Sequence, residues 1–294
     1  MKQKKIFALG FFDGVHLGHQ ALLRACCALA QSNDAIPCAV TFDLPPSAVL
    51  QNKQPNMLNT ETDRKNLLMQ YGMAEILLFP ATKENLSMPW QDFLTMLIQE
   101  GAAGFVCGAD YRFGHLGEGN GEKLFAFARE HALSCIVLSE QTMDGEKISS
   151  TRIRSLLEVG NVADANRLLG HPHILTGTVV SGRKLGRTMG IPTANLQLPT
   201  DLLTPKFGVY ACEAFVEGRR YLAVTNIGTR PTVNGHHVTV EPWLLDFNGD
   251  LYEKNLTLTF HEFLRPEQKF ENLDALKAEI LKNEAQVRKI FEKT

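Results

Sequence analysis

Ten residues near the start, Gly10-Phe11-Phe12-Asp13-Gly14-Val15-His16-Leu17-Gly18-His19, combine three glycines with two histidines three positions apart. Side chains at that spacing reach one region of a helix start. An imidazole N–H can donate to phosphate oxygens as charge builds on them in a transition state. Gly14 and Gly18 let backbone approach a phosphate closely. The N–H groups and dipole of a following helix favour an anion. The segment therefore suits transfer of a phosphorus group. His16 and His19 would handle charge, and Gly10, Phe12, Asp13, Gly14 and Gly18 would frame the phosphates. A strand-to-helix turn with two surface histidines would use the same residue types.

A second segment, Ile148-Ser149-Ser150-Thr151-Arg152-Ile153-Arg154, opens a predicted helix. Hydroxyls and cations there suit phosphate, with Ser150, Thr151 and Arg154 the candidates. Between the two lies Gly108-Ala109-Asp110-Tyr111-Arg112-Phe113-Gly114. Asp110, Arg112 and Phe113 at a strand end suit a flat heterocycle bearing a phosphate, or form an ordinary glycine-bounded loop.

The second half has its own candidates. Gly177–Leu196 carries Gly182, Gly186, Arg183, Lys184 and Arg187, and a glycine-rich loop is weak support for phosphate binding. Pro192-Thr193-Ala194-Asn195 is more specific: Thr193 and Asn195 alternate on an extended chain, so both oxygens can face one Mg²⁺. Residues 226–232 (NIGTRPT) read as another polar turn. Glu241 is a single carboxylate in an apolar strand, where burial would raise its pKa toward that of a useful base. Pro242 equally favours an edge strand with Glu241 on the surface.

The elements that position these residues divide into two patterns. Up to about residue 170, apolar runs at 5–9, 37–42, 75–79, 103–108 and 133–138 alternate with helical spacing at 18–31, 61–71, 90–99 and 121–131. That alternation predicts a parallel sheet with crossover helices, whose ligands bind at the carboxyl ends of strands. Two helices follow, over 151–157 and 163–169. Short runs at 175–181, 209–215, 220–226, 238–245 and 255–263, parted by Gly, Pro and Asn, predict an antiparallel barrel or sandwich. A charged amphipathic helix over 272–291 closes the chain. The expected border is at 171, giving domains 1–170 and 171–294.

The 294 residues suffice for two domains, and 44% hydrophobic with 21% charged residues is ordinary globular composition. A formal net charge of -2 argues against a general nucleic-acid binder. None of the six cysteines forms a C-x-x-C pair, so a zinc ribbon or thioredoxin-type motif has no support. No apolar run approaches ~18 residues, and Asp13 comes too early for a signal peptide. The expectation is a cytoplasmic protein with reduced thiols, without membrane or nucleic-acid partners. A homo-oligomer is left open.

The first segment resembles the head of the class I aminoacyl-tRNA synthetase and nucleotidyltransferase superfamily. GFFDGVHLGH, GADYRFG, ISSTRIR, GRTMGIPTANL, FGVYA, NIGTRPT, VEPWLLDF and LRPEQKF, in this order over nearly the whole chain, resemble the bacterial bifunctional riboflavin kinase/FMN adenylyltransferases (FAD synthetases). The resemblance implies an α/β fold: a Rossmann-like parallel-sheet nucleotidyltransferase domain, then an antiparallel β-barrel riboflavin-kinase domain with a terminal helix. It implies ATP, riboflavin and FMN as substrates, with Mg²⁺ assisting. The kinase half would move the γ-phosphoryl of ATP to riboflavin, with Thr193 and Asn195 at Mg-ATP and Glu241 as base. Gly182, Lys184 and Gly186 would line its nucleotide. The first half would join FMN to the AMP part of ATP and release pyrophosphate. His16, His19, Ser150, Thr151 and Arg154 would lie at the ATP phosphates. Flavin contacts would fall to Asp110, Arg112, Phe113 and, in LRPEQKF, Arg265.

Three positions depart from the family pattern. Phe11 stands where the family has Asn, Pro45 where it has His, and Glu253 where it has Gly. A φ above zero at 253 would strain the turn by roughly 1 kcal/mol. The alternative reading keeps one active domain and makes the other a flavin- or nucleotide-binding module.

Overall fold

The computed structural model describes residues 2–182, 186, 190–232 and 235–292, with side chains at 230–232 and 235–237 set aside. The chain forms two compact units: Met1–Met57 with Glu61–Ser150, and Leu58–Thr60 with Thr151–Thr294.

The first unit is built on a five-stranded parallel sheet. Its strands are β1 (Lys5–Leu9), β2 (Ile36–Phe42), β3 (Glu75–Phe79), β4 (Ala102–Gly108) and β5 (Ser134–Leu138). They lie in the order β3-β2-β1-β4-β5, every pair parallel. The central β1 is an unbroken apolar run because helices cover both faces of a parallel sheet. Ile6, Phe7, Ala8 and Leu9 are fully buried. Helix α1 (Leu17–Ser32) returns the chain to β2, burying Leu22, Leu23, Cys26 and Ala30. Helices α2 (Pro46–Gln51), α3 (Glu61–Gln70), α4 (Lys83–Leu86), α5 (Trp90–Gln99) and α6 (Gly121–Glu130) make the other crossovers. The order reverses between β1 and β4, and a crevice at such a switch point is where sheets of this kind bind ligands. The turns at Gly10 and Gly108 both leave the sheet there. A two-stranded hairpin, β6 (Thr142–Met143) and β7 (Glu146–Lys147), was not expected from the sequence; Asp144 and Gly145, both at positive φ, turn it.

The second unit begins with α7 (Ser150–Glu158, its first residue counted with unit one) and α8 (Val162–Leu169). Both pack with the barrel: Lys206 N–H donates to Leu157 O (3.0 Å), and Asn166 Nδ2 donates to Phe260 O (2.8 Å). The barrel strands are β8 (His173–Val180), β9 (Asn195–Gln197), β10 (Gly208–Val216), β11 (Arg219–Thr232), β12 (Gly235–Leu244) and β13 (Asn255–Arg265). They close in the order β10-β11-β12-β9-β8-β13, with every pairing antiparallel. Leu256, Leu258 and Phe260 fill the interior at the strand's period of two. The terminal helix α9 (Leu273–Phe291), capped by Asn272, packs outside on Val209, Ala211 and Val224 through Val287, Ile290 and Phe291.

One expectation is corrected. Residues 226–232 are not a turn but the second half of β11. Their pairing with β12 continues from Asn226↔Glu241 to Thr232↔Gly235, so backbone hydrogen bonding overrides the local Gly and Pro signals.

Candidate active sites

In unit one the Gly10–His19 segment is a strained turn at the end of β1. Phe12 (φ 59°) and Val15 (φ 39°) adopt the left-handed region without being glycine, beside Gly14 (φ 80°). The Phe12 ring is buried and folds back over Gly10, where a Cβ would sit 2.8 Å from it. Gly10 is therefore needed for Phe12, and no phosphate need be invoked for it. His16 caps α1: its Nδ1 accepts from the His19 N–H at 3.4 Å. The imidazoles stack with centroids 3.7 Å apart and planes 16° apart, and a Cβ on Gly18 would meet the His16 ring at 3.2 Å. Burial, then His16, then Arg64 hold the His19 pKa well below its ordinary value, so the ring is neutral near pH 7. Its Nδ1 is buried with no hydrogen-bond partner. Asp13 is buried, and its carbonyl accepts from Ser150 Oγ at 2.8 Å, which ties Ser150 of the second motif to the first motif. Thr151 is exposed and Arg154 half-buried, both on α7.

The loop after β4 carries Asp110, Arg112 and Phe113. Asp110 is held by Lys147 of β7 (2.6 Å), which also grips Glu140 (2.5 Å). Arg112 is exposed. Phe113 is 6% exposed and packs among Trp90, Phe93 and Tyr111 in the core of the sheet unit. This packing fixes the loop after β4.

Sequence reasoning missed Arg64 of α3. The signal was there: Arg64, Leu67 and Leu68 share one helix face by their i, i+3, i+4 spacing, and both leucines are buried. The guanidinium donates from Nη1 to Phe11 O (3.1 Å) and from Nη2 to Phe42 O (2.7 Å) and Asp43 O (3.1 Å). It also lies 4.6 Å from the Phe11 ring centroid, so the residue that departs from the family covers a buried cation.

In unit two, two cavities share a wall. One of about 490 Å³ is lined by Gly182, Gly186, Thr193, Asn195, Phe247 and Tyr252, among others. The second, of about 370 Å³, is lined by Gly186, Thr193, Asn226, Glu241, Trp243 and Arg265, among others. Gly186 and Thr193 belong to both. A Cβ on Gly182 would meet the Asn195 amide at 2.2 Å, so this glycine lets Asn195 lie against the backbone. Thr193 and Asn195 are hard oxygen donors on the first cavity, and among the described residues no group of three His, Cys, Asp or Glu could hold a metal. Two neutral oxygens fit Mg²⁺ brought largely by substrate phosphates.

Glu241 is half-buried on β12. The edge-strand reading is corrected: β12 pairs with β11 on one side and β9 on the other, and Pro242 O accepts from Ala194 N–H at 2.9 Å. Arg265 at the end of β13 donates from Nε to Asn283 Oδ1 (3.2 Å) and lies 3.5 Å from Glu279, which anchors it to α9. Lys184, with Arg183 and Arg187, lies outside the described residues. Glu253 does sit at positive φ (63°), as the family's glycine implied.

A strained turn at a sheet switch point and, in the same chain, a barrel with two adjoining cavities suit a two-site enzyme that acts on small ligands. Family models agree: residues 1–152 match FAD synthetase and 169–291 match riboflavin kinase. The chain is 36% identical over 293 residues to a bifunctional riboflavin kinase/FMN adenylyltransferase of Listeria monocytogenes, covering 98% of this chain and 93% of that one. It is 35% identical over 292 residues to the protein of the same description in Escherichia coli K12, covering 97% and 92%. A crystal structure described as a macrolide-efflux protein from Streptococcus pneumoniae superposes with a TM-score of 0.89 at 30% identity, covering 98% of this chain and 95% of that one. The chain belongs to the bifunctional riboflavin kinase/FMN adenylyltransferase family, and both of the family's enzymatic halves are present.

Proposed function

We propose that this enzyme phosphorylates riboflavin to FMN in its second half and adenylylates FMN to FAD in its first, over domains 171–294 and 1–170. The observation that carries the reading is that each half of the chain matches its own family model. In the kinase half, ATP fits the Asn195 cavity and riboflavin the Glu241 cavity, because Thr193 and Gly186 border both. Glu241 accepts the 5′-hydroxyl proton as that oxygen attacks the γ-phosphorus and ADP leaves. Arg265 borders the flavin. Thr193 and Asn195 would hold Mg²⁺, which when bound neutralises charge on the phosphates.

In the adenylyltransferase half, an FMN phosphate oxygen attacks the α-phosphorus of ATP, and pyrophosphate leaves. His16 and His19 donate to the ATP phosphates, His19 as a neutral imidazole. Ser150, Thr151 and Arg154 complete the phosphate contacts. Asp110, Arg112 and Phe113 border the flavin. The enzyme acts on these small molecules in the cytoplasm, without nucleic-acid or membrane partners, and a homo-oligomer is compatible with these roles. Among the described residues no helix is long and apolar enough to cross a membrane.

Incubating the purified protein with ATP and Mg²⁺, once with riboflavin and once with FMN, tests the reading. FMN in the first reaction and FAD in both is the expected result. A reaction that stops at FMN would leave only the kinase half of the proposal standing.

A further inference from the structure

Arg64 is 1% exposed and is the largest fully buried side chain among the described residues. A buried guanidinium is unfavourable unless its donors are used. Here they are spent on backbone carbonyls of two loops, those leaving β1 and β2. Phe11 O is held twice, since Thr41 Oγ1 also donates to it at 2.9 Å. Immediately after it comes the strained stretch with Phe12 and Val15 at positive φ. Non-glycine residues stay in that region only where their surroundings over-determine them. The double anchor at Phe11 is such a constraint, and the turn it fixes ends in the stacked His16 and His19.

Charge adds a second effect. Asp13, Asp43 and Glu61 face the guanidinium, while His16 and Arg64 are the groups that face His19. A cation beside an imidazole favours its neutral form.

We propose that Arg64 is a positioning residue of the adenylylation site, tying the β1 and β2 loops together so that the Phe11–His19 turn is held ready for phosphate. The inference rests on the adenylyl-transfer reading of unit one. Arg64 touches no reacting atom. It acts through the Phe11 carbonyl and through the field at His19. A lysine keeps the charge but not the three-carbonyl fork. A methionine keeps much of the volume and loses both.

The test uses the full chain. FAD formation from supplied FMN is measured across pH, with FMN formation from riboflavin on the same sample as a control for folding. Arg64→Lys is expected to lower adenylylation kcat by ~10²-fold, the size expected of misplacement by about an ångström, with its acid limb unmoved. Arg64→Met is expected to lower it at least as far and to shift the acid limb to higher pH. FMN formation stays at the parental rate in both. Parental FAD formation in Arg64→Lys and Arg64→Met would overturn the inference, as would lowered rates with the acid limb unmoved in both. If Arg64→Met loses both activities through unfolding, Arg64→Lys decides: a parental kcat overturns the inference, and the expected fall with FMN formation intact supports it. A parental chain that makes no FAD from FMN would overturn the adenylyl-transfer reading first, and this inference with it.

Discussion

In the sheet unit the features of the candidate site are a strained backbone turn, two stacked imidazoles and a buried guanidinium spent on backbone carbonyls. In the barrel unit they are open cavities lined by neutral oxygens and a half-buried carboxylate. The first arrangement invests in preorganised electrostatics, with its charges desolvated in advance. The second sets the Thr193 hydroxyl between the Asn195 amide of one cavity and the Glu241 carboxylate of the other. The difference follows from the folds. A parallel sheet offers only its strand-end loops to a ligand, so precision must come from fixing loop backbone. A barrel offers side chains along regular strands, where alternation alone aims them. The two sites should therefore fail separately and in different ways.

The largest expected effect is on the barrel. Glu241→Ala should lower FMN formation by ~10²–10⁴-fold, the range of general-base catalysis, and leave FAD formation from supplied FMN intact. Equal loss in both assays would erase the distinction between the sites. His19→Ala should do the reverse, lowering FAD formation by ~10²–10³-fold while FMN formation continues.

Smaller effects separate the folds by stability. His173 is buried in the barrel, with Nε2 unpartnered and a pKa held down to about 3 against an ordinary 6.5. Burial is the main cause and His171 the lesser one. The unfolded chain then binds a proton that the folded one refuses, so stability falls as pH drops below 6.5 toward 3. Between pH 7 and 5 this amounts to about 2 kcal/mol, and His173→Gln should remove that part of the slope in urea unfolding. A slope unchanged by the substitution would mean that another group carries it. Smallest is Glu253→Gly, which should raise stability by about 1 kcal/mol by relieving the residue at φ 63°. A destabilised variant would show that the Glu253 side chain outweighs that strain.

Much of this was legible in the sequence. All five sheet strands, five of the six barrel strands and the Gly10–His19 turn follow from apolar periodicity and glycine placement. What was missed has identifiable physical causes. Strand β9 has three residues and one pairing with β12, too short to show a period. Residues 226–232 look like a turn because Gly228 and Pro231 are local breakers, while the β12 ladder that keeps them extended is set by long-range pairing. Arg64 went unread although it shares a helix face with Leu67 and Leu68, because its partners are carbonyls from two other segments. Helices α7 and α8 pack with the barrel through Leu157 and Asn166, while the family matches end at 152 and resume at 169.

The central claim is that one chain carries two sites, each sufficient for its own reaction. The most direct measurement mixes Glu241→Ala protein with His19→Ala protein and supplies riboflavin, ATP and Mg²⁺. Neither variant alone should convert riboflavin to FAD. The mixture should accumulate FAD, because FMN released by one protein is adenylylated by the other. A mixture that forms no FAD, or a single variant that forms it unaided, would contradict the account.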